Sequence, residues 1–340
     1  MVHGEELGLA SESKSVAVGD ALPHQGGSPG CDGLSSVSLF SSTDKHYRLA
    51  KWEQRVVMVV LRICAWCSIA ITAGIVVILL SEAAPFFKEV SWRDFLFGTQ
   101  WVPLFEPRSF GVLPIIWGTL LVSVGACFVS VPFGLGIAIF LSEFARPRTR
   151  SFLKPLIELL AGIPSVVFGY FALITITPGL QKIFPNIEVF NAFSASIVVG
   201  IMTVPMISSL SDDALRAVPR SLREAGYAMG ATSFEVSLRV VLPAAISGVI
   251  ASIILAFSRA IGETMAVTLA AGATPKLTMN FFESIQTMTA YIVQVSIGDT
   301  PHGSIEYHSL FAVALVLFLL TLVMNTIAGW VLKKTQISYN

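Results

Sequence analysis

Charge is scarce in this chain. Asp, Glu, Lys and Arg make up only 13% of the 340 residues, and 22 basic side chains cancel 22 acidic ones. That is about half the charged share of an average soluble domain, and zero net charge leaves no whole-molecule field to gather nucleic acid or an acidic polymer. Cysteine is scarce as well. Cys31, Cys64, Cys67 and Cys127 sit in a polar tail or in apolar runs, which excludes the disulfide framework of a small secreted domain. Cys64 and Cys67 have CxxC spacing without a second ligand pair, so they read as small lipid-facing residues rather than a metal or redox site. No G-x-x-x-x-G-K-[ST] phosphate loop occurs, so ATP hydrolysis by that route is not expected of this chain.

Apolar sequence is abundant, at 54% of residues, and it falls into runs long enough to span a bilayer core. Six are expected: about Val56 to Leu80, Leu113 to Leu141, Pro155 to Leu180, Ala195 to Leu210, Ala244 to Ala273, and Leu310 to Leu332. The fifth and sixth contain no proline. The fold class is therefore all-α and polytopic. Lys45, Arg48, Lys51, Arg55, Arg146, Arg148, Arg150, Lys154, Arg216, Arg220, Arg223, Arg239, Lys333 and Lys334 gather on one side, against Lys88, Arg93, Arg108, Lys182 and Lys276 on the other. By the positive-inside rule the first set, with both termini, is cytoplasmic.

Residues 1–44 hold nine Ser and seven Gly and little that could form a core, so residues 1–50 are expected to be a disordered cytoplasmic tail. No basic n-region and apolar h-region precede the first span, which reads as a true span or signal anchor. A membrane domain then covers 51–334, and 335–340 form a short cytoplasmic end. No solenoid period or inverted repeat is visible.

Between the fourth and fifth runs, residues 211–243 are too polar for lipid and too patterned for a plain linker. Pro219 suits a first helical turn, Leu222, Ala225 and Met229 recur on one face, and Gly230 suits a left-handed helix end. Thr232 and Glu235 have the spacing of a capping box for a second helix, with Phe234, Leu238 and Val241 on its apolar face and Pro243 stopping it. Ala225, Gly226, Ala228, Gly230 and Ala231 would let another protein approach the backbone closely, as in a helix-in-groove dock. In this segment Glu224-Ala225-Gly226, three residues, Gly230, nine residues and Val240-Val241-Leu242-Pro243 resemble the EAA loop of ABC importer permeases, with Gly226 and Val240 as mild departures. The resemblance implies a type I importer architecture. It also implies a separate ATPase that receives the loop at Glu224, Ala225, Gly226 and Gly230.

The fifth run carries charges. Arg259 follows Ala244 by fifteen residues, roughly 22 Å along a helix, which puts it near the bilayer middle; Glu263 is expected on the same face one turn on. A lipid-facing Arg there is disfavoured, so it faces either a partner or a water-filled path. One alternative is an intrahelical ion pair that only serves packing. The other is contact with a solute: a guanidinium fits the oxygens of phosphate, sulfate or carboxylate, and a carboxylate beside it accepts a hydrogen bond from protonated phosphate while repelling sulfate. Arg259 through Val267 resembles the R-A-[LI]-G-E-T-M-A-V segment of phosphate-specific ABC permeases of the PstC type. Two further stretches agree with that family: Phe110 to Pro114 with Gly118-Thr119-Leu120, and Glu158 to Gly169. The likeness implies a PstA-type partner permease, two ATP-binding subunits, an extracytoplasmic phosphate-binding protein, and Arg259 and Glu263 in the permeation path. ATP is then used by the partner, with no cofactor in this chain.

Glu158, near the end of the third run, would pair with Arg259 if the helices cross deeply, or with Lys154 one turn back. Outside, the rings Trp92, Phe95, Phe97, Trp101 and Phe105 are expected at the membrane interface or at a docked binding protein. Phe281 to Val293 is expected to form an interfacial helix. His302, Glu306 and His308 lack the further ligands that zinc would need. The rivals to phosphate import are a permease for sulfate or molybdate, an ion-coupled transporter with Glu263 carrying a proton, and a receptor or scaffold using the tail.

Overall fold

The computed structural model describes residues 37–103 and 105–335, with side chains from Gln54 onward except those of residues 332, 334 and 335. The segment before residue 37 with Cys31, and residues 336–340, lie outside the described residues. The chain divides into two units at Ile69 and Ala70, and the packing below concerns the second.

Helix α1 spans Val37–Glu89. It begins inside the segment assigned to the disordered tail, because extending an existing helix adds one hydrogen bond per residue without a new nucleation cost. A short helix α2 (Trp92–Phe97) and two strands, β1 (Trp101–Val102) and β2 (Ser109–Phe110), follow; the strands pair antiparallel with Trp101 opposite Phe110. Then come α3 (Leu113–Ile139) with a π turn (Phe140–Phe144), α4 (Pro147–Ala161), α5 (Ser165–Phe171) continued through a π turn into α6 (Thr177–Gln181), and α7 (Ala192–Arg216). The loop helices are α8 (Arg220–Ala228), α9 (Ser233–Val236) and α10 (Leu242–Ala244), joined by the π turn Ser237–Val241. The chain closes with α11 (Ile246–Ile261), α12 (Met265–Ala270), α13 (Met288–Ile297) and α14 (Ile305–Thr335).

Among the described residues four helices are long and apolar enough to span a membrane, within α1, α3, α7 and α14, and two bent pairs bring the number to six. One bent pair lies in the third run and the other joins the loop helices to the fifth, whose expected continuous helix through Glu263 is corrected. The third turns by 84° between Ala161 and Ser165, because Pro164 cannot continue the helix and caps α5 instead. The fifth turns by 73° at Ala245 and ends at Ile261, short of the expected Ala273. No proline causes that ending. Gly262 weakens the helix, and tertiary partners satisfy the freed backbone: Thr264 Oγ1 donates to Gly262 O at 3.2 Å and Thr289 Oγ1 to Glu263 O at 2.8 Å.

The centre of the bundle is the contact between α3 and α7, made through small residues. A Cβ at Gly134 would meet Ile207 at 2.8 Å and one at Gly200 would meet Val129 at 2.7 Å, so both backbones approach as closely as only glycine permits. Buried Thr119, Ser123 and Thr203 return their hydroxyls to carbonyls on their own helix, which removes the penalty of placing them in an apolar core.

At one end an aromatic cluster forms a cap. Phe86 makes edge contacts with Phe87, Phe95 and Phe110, and Trp101 with Phe110 and Tyr291. Phe95 and Trp101 are thus core residues rather than interfacial rings, while Trp92, Phe97 and Phe105 remain exposed. The expected interfacial helix is also corrected. The helix begins only at Met288; residues 281–287 run as a turn and irregular backbone that packs into the bundle, where Phe193 N donates to Phe281 O and Ile285 N to Ala271 O, and Met288 and Tyr291 of α13 are buried. Small residues make room for this segment: Gly118 packs directly on the Gln286 carbonyl, and Met288 N donates to Thr119 Oγ1 at 3.0 Å.

Candidate functional site

The polar loop is built as its punctuation predicts. Pro219 caps α8, and Gly230 has a φ of 79°, the left-handed conformation in which its N–H reaches Tyr227 O at 2.9 Å. Thr232 and Glu235 form the reciprocal capping box, with Thr232 N donating to Glu235 Oε2 at 2.9 Å. The Thr232 backbone N–H, then its hydroxyl, hold the Glu235 carboxyl below the ordinary carboxylate range.

Glu224, Ala225 and Gly230 are exposed, with Tyr227, Met229 and Phe234 beside them as exposed large apolar side chains. Gly226 is different. Its Cβ position lies 3.0 Å from Val236 Cγ2, so its smallness serves the packing of α8 on the second loop helix rather than approach from outside. Beneath the loop Leu215, Val218, Val236, Val241, Ala245 and Val249 form a buried cluster with Ala138 of α3.

Two buried carboxylates fasten the loop's root. Asp212, in the segment expected to be loop but actually in α7, is fully buried and accepts from Arg150 Nη2 at 2.6 Å, Arg216 Nε at 3.2 Å and Lys154 Nζ at 3.4 Å. Glu143 accepts from Arg223 Nη2 at 3.1 Å, and Arg223 also donates to Val218 O and Leu215 O. Neither acid stands out in the sequence. The only signal is Ser211-Asp212-Asp213 within a basic stretch, and nothing local tells which of the two aspartates turns inward.

Arg259 lies in the last turn of α11 and is exposed; Glu263 lies in the break before α12 and is half-buried. The two share no ion pair among the described residues, so the intrahelical pair is not formed. Instead Glu263 Oε1 accepts from Ala266 N at 3.4 Å, at the start of α12. Ser258 Oγ, beside Arg259, is buried without a partner. Glu158 is exposed on α4 and makes no ion pair with Arg259 or Lys154 among the described residues, since the bend after Ala161 carries α4 away from the span and Lys154 turns to Asp212 and Asp213. The glycine of the third-run motif has a definite use: a Cβ on Gly169 of α5 would meet Ala266 Cα of α12 at 3.0 Å, so the two short helices cross in contact one turn from Glu263.

On the cap side, Glu306 pairs with Arg108 at 2.8 Å, and His308 Nδ1 lies 3.0 Å from Glu82 O. Among the described residues no group of three or more His, Cys, Asp and Glu side chains is placed to hold a metal.

Residues 130–337 match the family described as binding-protein-dependent transport system inner membrane component. A Bacillus subtilis protein named as a probable ABC transporter permease, YqgH, is 32% identical over 276 residues, covering 81% of this chain and 89% of its own length. A Mesorhizobium japonicum protein named phosphate transport system permease protein PstC is 33% identical over 288 residues, 77% of this chain and 87% of the relative. Among solved structures, a chain of the MetNI methionine ABC transporter in an inward-facing conformation superposes with a TM-score of 0.54 at 17% identity, over 69% of this chain and all of that one, a likeness of fold.

Proposed function

The chain belongs to the binding-protein-dependent transport system inner-membrane-component family and is an ABC importer permease subunit, and from that premise we propose that it carries inorganic phosphate inward by alternating access. Family membership removes the ion-coupled transporter and the scaffold from consideration. Relatives named as phosphate permeases support the substrate. The observation that carries it furthest is Arg259: an exposed guanidinium at the end of a broken span, without an anionic partner among the described residues, with Glu263 at the break beside it. Such a cation presents paired donors to a tetrahedral oxyanion. A carboxylate alongside favours an anion that still bears a proton, which separates phosphate from sulfate.

In this reading residues 51–334 form the permease domain, both termini are cytoplasmic, and the 211–243 loop meets a separate ATPase through Glu224, Ala225 and Gly230, with Gly226 shaping the fold behind them. A PstA-type permease, two ATP-binding subunits and an extracytoplasmic phosphate-binding protein complete the assembly, and ATP is bound by the partner rather than by this chain. The test is labelled phosphate uptake in cells that lack their own high-affinity system, supplied with all subunits. Replacing Arg259 by Gln removes a charged hydrogen-bond donor and should lower uptake roughly 10- to 150-fold with assembly intact. Effective competition by excess sulfate would reassign the substrate to another oxyanion, and an undiminished Arg259→Gln transporter would remove Arg259 from the path.

A further inference from the structure

The densest buried charge in the described residues lies at the root of the loop, away from the path. Asp212 is fully buried on α7 and takes two of its three cations, Arg150 and Lys154, from α4. Helix α4 has no buried residue of its own, and its apolar Phe152 and Leu159 are each 69% exposed. A helix so weakly packed on the bundle depends on its polar attachment. Ion pairs are a poor choice if holding the helix were the only requirement, since desolvating the charges cancels much of their attraction. They are well suited to fixing one geometry and passing on a displacement.

The groups on either side of Asp212 form a continuous mechanical route. On the loop side, Arg223 of α8 grips the end of α7 through Leu215 O at 2.8 Å and Val218 O at 2.6 Å, and grips the turn after α3 through Glu143. A push on α8 therefore moves the α7 end that bears Asp212 and Arg216. On the other side, α4 leads through Gly162 and Pro164 into α5, and Gly169 of α5 touches Ala266 of α12, the residue whose N–H binds Glu263.

We infer that Asp212 is a positioning residue of the transport cycle, locking α4 to the root of the coupling loop so that loop displacement reaches the break around Glu263 through α4 and α5. This rests on the ATP-driven import reading. The experiment uses the complete transporter in liposomes with its binding protein, and measures phosphate uptake and ATP hydrolysis together for wild type, Asp212→Asn, Asp212→Glu and Arg150→Gln. The expected result for Asp212→Asn is a fall of about tenfold in phosphate moved per ATP, with the half-saturating concentration unchanged, and partial recovery in Asp212→Glu. Arg150→Gln leaves Asp212 paired with Lys154 and Arg216 and should show a smaller loss of the same kind, which keeps the test decisive if Asp212→Asn does not assemble. Uptake and hydrolysis falling in parallel, or an unchanged ratio in Arg150→Gln, would overturn the inference and leave Asp212 a fold-holding group. Wild-type transporter that hydrolyses ATP without moving phosphate would instead overturn the import reading, and this one with it.

Discussion

Gly230 offers a substitution whose cost within this chain is conformational. Its φ of 79° lies in the region that L side chains avoid, and a Cβ built there meets nothing within 4 Å. Alanine at this position would therefore pay about 1–2 kcal/mol for the left-handed backbone, with no clash against the rest of this chain. The flanks are firmly held, by Arg223 on one side and by buried Val236 and Val241 on the other, so the strain must be relieved within the turn itself, where Ala231 N reaches Gly226 O at 3.3 Å. An energy of that size shifts the balance between the closed turn and its opened forms by about 5- to 30-fold. On the proposal that the loop meets a separate ATPase, binding of that purified subunit to the solubilised permease should weaken by that factor in Gly230→Ala, and by less in Gly230→Asn, because Asn tolerates the left-handed region. Gly136 is the control: it too has open space at its Cβ position but has no positive φ, so Gly136→Ala should leave binding unchanged. Wild-type binding by Gly230→Ala, or a larger loss in Gly230→Asn than in Gly230→Ala, would refute the conformational argument.

Two further outcomes follow from the packing and the cap. Gly118→Ala would press a methyl onto the Gln286 carbonyl, held between buried Ile285 and Met288, and should destabilise the subunit by roughly 1–3 kcal/mol, read as a lower melting temperature in detergent. Thr232→Ala removes the capping box and should speed amide exchange over Ser233–Val236 by about fivefold. Because the Glu235 carboxyl is held below its ordinary value, the stabilisation from its capping contacts is fully present above the ordinary carboxylate pKa and is lost as pH falls through the lowered one. Exchange in the wild type should therefore quicken toward that of Thr232→Ala only in acid, after correction for intrinsic exchange rates.

Local chemistry was readable and long-range partnership was not. Gly230 and the Thr232–Glu235 box are encoded within a few residues, so their conformations follow directly from residue type and spacing. The spans α3, α7 and α14 likewise follow from continuous apolar length. The break after Ile261 is another matter: Gly262 only weakens the helix, and what stabilises the opened backbone is Thr289, 26 residues away. The same holds for Phe95 and Trp101, whose burial depends on Phe86 and Tyr291 arriving from other elements. Residues 281–287 hide their role because their backbone partners, Ala271 and Phe193, are distant in sequence. Of the charged residues, Arg259 was visible because it interrupts an apolar run, while Asp212 was hidden among neighbours that make a polar stretch look wholly exposed.

The seam between α3 and α7 also bears on how the subunit is made. Helix α7 is the most deeply buried of α3, α7 and α14, and its best stretch is also the least apolar of the three. It carries buried Ser194, Ser196, Thr203, Ser208 and Ser211 and ends in Asp212, Asp213 and Arg216. A segment of that kind partitions into lipid less readily on its own than its neighbours do. Since α3 precedes it in synthesis, with Gly134 receiving Ile207 while its Val129 seats against Gly200 of α7, insertion of α7 is best understood as templated by a helix already in the bilayer. Bulky residues at Gly134 or Gly200 would then reduce the yield of inserted subunit before they affected any finished transporter.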